Sequence, residues 1–411
     1  MELSKRIFVI GGGAAGMCAA IYAARNGADV TILEKNDRLG KKLSMTGNGR
    51  RNLTNLDMRE EYYNLSARAR MKEWLGIYGV EDVICFMKSL GVVVKSEDGY
   101  IYPASGQAQT VVNALKNEID RLGVEVIYNQ QFKAVSRCDD DRYKLLIKTA
   151  TAEYMADECV ISTGSLSGAK STLSTGDGYY ICSQIGMNIK KTYPALVGFK
   201  VDPEEMMPEN GVRTIAEISF TLGNEAIATE YGELQITKDG ISGIPVMQAS
   251  REIVRFVEEK KPVYAVINFF PDYDDEDFKS LKNDMLRLKD DRTLAEFLNG
   301  FANSNVNDMV LSRMKLSPTM RMKNISVSMA DCILDNYRNL KLKLSESYGY
   351  QASQVTTGGV SLGDVGSDMS YKKLPGVYLA GEILDVDGRC GGYNLQWAFT
   401  SGSIAGTASS I

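Results

Sequence analysis

The chain has no histidine among its 411 residues. That absence removes the side chain whose charge changes nearest neutral pH. With it go the Ser-His-Asp and Cys-His nucleophile arrangements and most zinc and non-haem iron ligand sets. Proton transfer is left to Tyr, Lys, a carboxylic acid or water, and no metal site is expected. The seven cysteines, Cys18, Cys85, Cys138, Cys159, Cys182, Cys332 and Cys390, include no Cys-x-x-Cys pair, so a dithiol redox centre is not expected either. An odd, scattered set reads as reduced thiols, most of them small buried residues. Also missing are a basic, apolar and small-residue leader order at the N-terminus and any uninterrupted apolar run of bilayer length. The expectation is a cytoplasmic protein with no membrane partner. Charge leans towards acid, with 47 Lys and Arg against 52 Asp and Glu for a net −5, and the cations are scattered among the acids. Such a surface gives no general attraction for nucleic acid, and no nucleic-acid partner is expected.

What is present is concentrated at the two ends. The apolar run Ile7-Phe8-Val9-Ile10 flows into Gly11-Gly12-Gly13-Ala14-Ala15-Gly16, and Glu34-Lys35 follows a second apolar run, Val30 to Leu33. This reads as strand, glycine turn, helix, strand and acid. Gly11 permits the tight turn, and Gly13 with the N–H groups of Ala14 and Ala15 can approach a pyrophosphate at the helix N-terminus. Gly16 lets helix and strand pack closely, while Glu34 can accept from a ribose hydroxyl. Leu39-Gly40-Lys41-Lys42 adds cations within reach of that pyrophosphate. At the other end, Val377-Tyr378-Leu379-Ala380-Gly381-Glu382 reads as a buried strand. It leads through Asp385-Val386-Asp387-Gly388-Arg389-Cys390-Gly391-Gly392 into a helix opened by Tyr393, Asn394 and Leu395. Leu395, Ala398, Phe399, Gly402 and Ala405 recur at helical spacing, predicting one face laid on a sheet. The outward N-terminus of that helix suits the partial negative charge of a reduced flavin.

The segments Lys41 to Asn55, Thr356-Thr357-Gly358-Gly359-Val360 and Gly381-Glu382 to Trp397 resemble those of the BaiN-like, aminoacetone-oxidase-like bacterial flavoproteins. The match extends over nearly the whole chain. The resemblance implies a three-domain FAD protein, with Thr46, Gly47, Asn48, Gly49, Arg50, Asn52 and Thr54 in an ordered loop beside the flavin ring. Asn52 and Thr54 would bond ring edges, and Arg50 would hold the pyrophosphate or an anionic substrate group. The resemblance also implies backbone contacts from around Phe132 to the adenine and a Thr163-Gly164 pair beside the cofactor. The chain departs from the family in carrying Arg51 where relatives have a cysteine. Two family-typical histidines are also absent, with Met187 and Lys238 near their places. Tyr393, Tyr102 and Arg50 are the catalytic candidates, Tyr102 being equally readable as packing.

Between the two ends the character changes near residue 193. Alternating runs such as Ala216 to Phe220 and Val263 to Ile267 read as strands, and helical spacing follows from about 272 to 324. The fold class expected is therefore α/β. A Rossmann-like FAD-binding domain is split between 1–192 and 351–411, and an inserted β-barrel-like domain at 193–350 contains a small helical cap. No second Gly-x-Gly-x-x-Gly sits in strand, helix, strand and acid, so NAD(P)H would be a transient donor binding at the flavin face. By resemblance the substrate is a small molecule, either a conjugated enone of 3-oxo bile-acid or steroid type that is reduced, or an amino ketone oxidised with oxygen. A non-enzymatic flavin-binding regulator is the more remote alternative.

Overall fold

The computed structural model describes residues 4–411 apart from 46–51, 139, 141, 169, 206, 209–210 and 289. Two compact units divide the chain, one formed by Met1–Pro194 with Gln354–Ile411, the other by Ala195–Ser353.

The first unit is built on a five-stranded parallel sheet in the order Val377–Leu379, Glu158–Ile161, Arg6–Ile10, Asp29–Leu33, Glu125–Ile127. Its three central strands are apolar without alternation and buried on both faces, as a parallel sheet covered on two sides requires. Helix Ala14–Arg25 covers one face and packs along the terminal helix Tyr393–Ser410. The seam is made of small residues. A Cβ built on Gly402 would stand 2.5 Å from the Ala15 carbonyl oxygen, and one on Gly406 would stand 2.3 Å from that of Ala19. The terminal helix is buried on more than the one face that its apolar spacing predicts, because Thr400, Ser401, Ser403 and Ser409 are buried too. Their hydroxyls bond backbone carbonyls within reach, Ser401 to Trp397 at 2.7 Å and Ser403 to Thr400 at 3.0 Å, so burying them leaves no orphan donor. An antiparallel meander, Phe132–Arg137, Leu145–Thr149 and Glu153–Ala156, and a small sheet, Thr54–Asn55, Tyr100–Pro103 and Val94–Glu97, complete the unit.

The second unit is a closed six-stranded antiparallel barrel. Its order is Phe199–Val201, Gly240–Gly243, Glu225–Ile236, Val212–Leu222, Val263–Asn268 and Leu340–Ser347, which pairs back to the first. Helix Ile244–Glu258, which strand alternation does not predict, packs on these strands with Val246, Ile253, Val254 and Val257 buried. The helical excursion comprises Asp275–Arg287, Leu294–Leu298, Ser304–Arg313 and Val327–Arg338. The last of these opens on a Ser326 cap that accepts from the Met329 N–H and lies beyond the 324 bound read from spacing.

Only Cys18, Cys159 and Cys182 of the seven free thiols are buried, fewer than expected. Burial pushes all three up, Cys182 to about 12, which keeps them protonated and inert.

Burial also lifts the phenols of Tyr22, Tyr378 and Tyr393 to about 12. In the unfolded chain a tyrosine ionises near about 10. Above that the unfolded state sheds protons that the folded state keeps, so stability present below it declines as pH climbs through about 12. Calorimetry across the alkaline range should give a Tm that begins to fall above about pH 8.5, where unfolded thiols ionise, and falls more steeply above about pH 10, where unfolded tyrosines follow. A level Tm through the whole range would contradict this burial.

Candidate active site

The C-terminal edge of the parallel sheet is shaped by glycines. Gly11 turns the chain at φ 102°, and a Cβ there would meet the Ser162 carbonyl oxygen at 2.6 Å. Gly16 lies closer still, its Cβ position 1.9 Å from the Gly11 carbonyl oxygen. Gly13, the N-cap of helix Ala14–Arg25, is different, since a Cβ there would find nothing within 4 Å. Its surroundings are open in front of a helix N-terminus whose first N–H groups have no intrahelical partner. Ala14 is half-buried and Ala15 buried just behind it.

Glu34 is buried at 6 % exposure, and both its oxygens are used. Oε2 accepts from the Gly12 N–H at 2.7 Å, and Oε1 accepts from the Asn36 N–H and Nδ2, each at 2.8 Å. The carboxylate thus ties the glycine turn to the end of the second strand. The Gln130 N–H donates to the Glu34 carbonyl, which brings the segment leading to buried Phe132 alongside. Lys35 turns to Thr175 at 2.8 Å and lies 3.7 Å from Asp177.

Thr163, just past strand Glu158–Ile161, has a buried hydroxyl with no hydrogen-bond partner among the described residues. Gly164 beside it, at φ 73°, faces open space. A buried orphan hydroxyl normally finds a partner. Here the Gly178 backbone and Ile383 cover the hydroxyl, so it is the open cradle at Gly13 that fits a polar, phosphate-bearing group lying across these strand ends.

The C-terminal segment closes on the same edge, because the Ala380 N–H bonds the Ile161 carbonyl and a Cβ on Gly381 would stand 2.8 Å from that of Ala15. Glu382 accepts from Lys42 Nζ at 2.6 Å and from the Thr356 N–H at 3.0 Å. Gly392, at φ 103°, caps the terminal helix so tightly against Thr54 that a Cβ would fall 2.6 Å from the Thr54 carbonyl oxygen.

Two side-chain expectations, for Thr54 and Tyr393, need correction here. Thr54 is fully buried, and its hydroxyl donates to Gln396 Oε1 at 2.5 Å, so it turns into the protein rather than towards a ring edge. Asn394 spends its amide on the Gly388 N–H and the Gly388 and Arg389 carbonyls, pinning the loop before the helix. Tyr393 donates its hydroxyl to the Asp57 carbonyl at 3.1 Å, and its ring packs against Tyr62 and Tyr63. Burial, with Asp57 and Tyr100 adding to it, pushes this phenol up to about 12. Its proton is held by the protein, which makes it a packing residue rather than an acid. The backbone N–H groups of Tyr393, Asn394 and half-buried Leu395 still open the helix.

Tyr102 is half-buried on its strand, and it is Tyr100 that lies against Gly391. Asn52 is half-buried, while Thr46, Gly47, Asn48, Gly49 and Arg50 lie outside the described residues. Sequence reasoning missed Asp385, a buried carboxylate that accepts from Lys190 Nζ at 2.6 Å, Ser66 Oγ at 2.8 Å and Asn64 Nδ2 at 3.1 Å. Its partners lie about 200 and 320 residues away in sequence, a pairing that no local pattern announces. Among the described residues no group of His, Cys, Asp or Glu could hold a metal ion, and no helix is long and apolar enough to cross a membrane.

Comparison with known proteins gives a consistent outcome. The family model described as HI0933-like protein Rossmann domain matches residues 5–408. A 3-dehydro-bile acid delta(4,6)-reductase of Clostridium scindens is 34% identical over 407 residues, 98% of each chain. A ribosomal RNA dihydrouridine synthase of Haemophilus influenzae is 26% identical over 96% of this chain and 95% of its own. Among solved structures, a 3-ketosteroid-delta4-(5alpha)-dehydrogenase from Rhodococcus jostii RHA1 shares the fold. Its TM-score is 0.53 at 15% identity, over 100% of this chain and 97% of its own.

The two glycines of the turn should respond differently to the same change. Gly13→Val places its Cβ where no protein atom lies within 4 Å, so the variant should fold with about the stability of the cofactor-free wild type yet lose its cofactor and its yellow colour. Gly16→Val drives a side chain into backbone and should cost about 1–3 kcal/mol or more in stability. Urea denaturation beside the absorbance spectrum checks both, and a yellow Gly13→Val protein would refute the reading of that space.

Proposed function

Because the chain belongs to the HI0933-like Rossmann-domain family and is an FAD-dependent oxidoreductase, we propose that it reduces a carbon–carbon double bond conjugated to a carbonyl in a small organic substrate. The preferred substrate is an enone of 3-oxo bile-acid or steroid type, with NAD(P)H as the electron source. The observation that carries this reading is the 34% identity, across 98% of both chains, to a protein named for reducing such a substrate. A further relative is named for making dihydrouridine. Dihydrouridine is uridine with its carbonyl-conjugated ring double bond saturated, so the two named activities share a reaction class while their substrates differ.

In this reading Gly11, Gly13, Ala14, Ala15 and Gly16, with Glu34, Lys35, Phe132, Thr163 and Gly164, would hold the adenosine and pyrophosphate of FAD. Lys42, Gly381, Glu382, Gly392 and the N–H groups of residues 393–395 would hold the flavin half, and residues 46–50 with Asn52 and Thr54 would border it through backbone groups. When bound, the flavin supplies two-electron transfer at its ring. The chain's own contribution is positional. The N-terminus of the terminal helix sets a positive potential, and the Lys42–Glu382 pair joins the two cofactor segments. With no histidine and with Tyr393 bonded to a carbonyl, the one proton that accompanies the hydride would come from solvent or from a lysine or acid rather than from the tyrosine at the helix start. Among the described residues a single parallel sheet carries the strand, turn and helix arrangement, so NAD(P)H would bind transiently at the flavin face.

Anaerobic stopped-flow absorbance tests this. NADH or NADPH should bleach the flavin, and a 3-oxo-Δ4 steroid should restore its colour. If neither nucleotide bleaches it while aminoacetone does, and oxygen restores the colour, the reaction is an amine oxidation and the proposal falls.

A further inference from the structure

We propose that the concave surface between strand Phe132–Arg137 and helix Asp177–Gln184 is a second binding site, made for a phosphate-bearing nucleotide unit. It goes beyond the redox reaction and does not depend on it. The cavity holds about 580 Å³, within the roughly 300–1,000 Å³ usual for ligand pockets. Of the eleven residues lining it, Lys133, Arg137 and Lys373 are cations and none is an acid.

All three are exposed, and none makes an ion pair or side-chain hydrogen bond among the described residues. Nearby cations of the same unit do pair, Lys144 with Glu158 at 3.0 Å and Lys35 with Asp177 at 3.7 Å. In a chain of net charge −5, three like charges around one hollow, of which Lys133 also acts on the Asp177 carboxylate, repel each other and leave a positive potential that an anion relieves. Arginine adds a planar fork that matches two phosphate oxygens, and lysines add point charges.

The rest of the lining narrows the anion. Val135 and Ile181 are buried and give an apolar floor, while Tyr180 stands at its edge with 68% of its surface exposed. An aromatic face beside phosphate donors is the pairing that holds a nucleotide, the base stacking and the backbone charges neutralised. The site is also separate from the glycine turn. Lys373 precedes strand Val377–Leu379, at the N-terminal end of the parallel strands, whereas Gly11, Thr163 and Gly381 follow their C-terminal ends. A ligand here therefore does not compete with one at the turn. The nucleotide unit has two sources, a free nucleotide or a residue within a single RNA strand, and the chemistry of the hollow is the same for both.

The test uses FAD-loaded protein, so that the cofactor site is already filled. A fluorescein-labelled decauridylate is titrated by fluorescence polarisation, with ADP as competitor. Three phosphate contacts on a single strand give a log–log salt slope of about −2, so a fourfold rise in salt should weaken binding roughly 20-fold. Lys133→Gln, Arg137→Gln and Lys373→Gln should each flatten that slope by about 0.7. Each should leave the flavin spectrum, the Tm and the anaerobic bleaching unchanged. Displacement by ADP identifies a free nucleotide as the ligand, and binding that resists ADP identifies the strand; both support the site. Absence of binding to either probe overturns it, and so does binding with an unaltered salt slope in the triple Gln variant. Since bleaching is read on the same samples, failure here is distinguishable from failure of the redox reading.

Discussion

A side chain on Gly16 would place its Cβ 1.9 Å from the Gly11 carbonyl oxygen, so helix Ala14–Arg25 can sit this low on its strand only with hydrogen at that position. The depth matters because it sets where the helix N-terminus stands relative to the strand ends. The same helix then receives Gly402 and Gly406 of the terminal helix against Ala15 and Ala19. Two segments separated by nearly the whole chain are brought to backbone contact through a seam with almost no side chain in it. Close approach of this kind trades apolar area for dispersion contacts along the helices, and it leaves both helix N-termini beside the same strand ends.

A site made this way relies on backbone more than on side chains. Thr54, Gln396 and Thr400 bond one another or the Tyr78 carbonyl. Asn394 holds its own loop, and Glu34 holds the glycine turn. Lys42 and Glu382 are paired across segments. What stays open is the N–H groups of two helix starts, all donors, with the glycine cradle in front of them. Donors without acceptors suit a phosphate and an electron-rich ring. The lack of histidine follows the same economy, since hydride chemistry carried by a cofactor asks the protein for position and potential more than for a titrating base.

The glycine signatures were readable because their function is local. A positive φ, a missing Cβ and an acid some twenty residues on are all properties of one short stretch. The βαβ start and the β-rich insert followed from periodicity for the same reason, while the barrel form of the insert came with the family resemblance. Thr54 and Tyr393 were misread because a side chain's partner is not a local property. Each sits beside the expected cofactor segment, yet each is claimed by a neighbour from elsewhere, namely Gln396 and the Asp57 carbonyl. Helix Ile244–Glu258 escaped notice because strands surround it on both sides in sequence. Its Pro245 at the first turn and its amphipathic face were the available signal.

By itself, then, the sequence determined the cofactor class, the split of one domain around another, and the mechanisms that a chain without histidine excludes. These depend on residue type and spacing, which folding does not alter. Only tertiary structure decided which polar groups were left for a ligand. It buried Asp385 among Asn64, Ser66 and Lys190, turned the Tyr393 hydroxyl inward, and gathered Lys133, Arg137 and Lys373 around one hollow on a chain whose cations looked evenly scattered. The physical reason is that a hydrogen bond or a focused charge acts over a few ångströms of space, and pairs about 20 to 340 residues apart in this chain become neighbours only once the sheet is assembled.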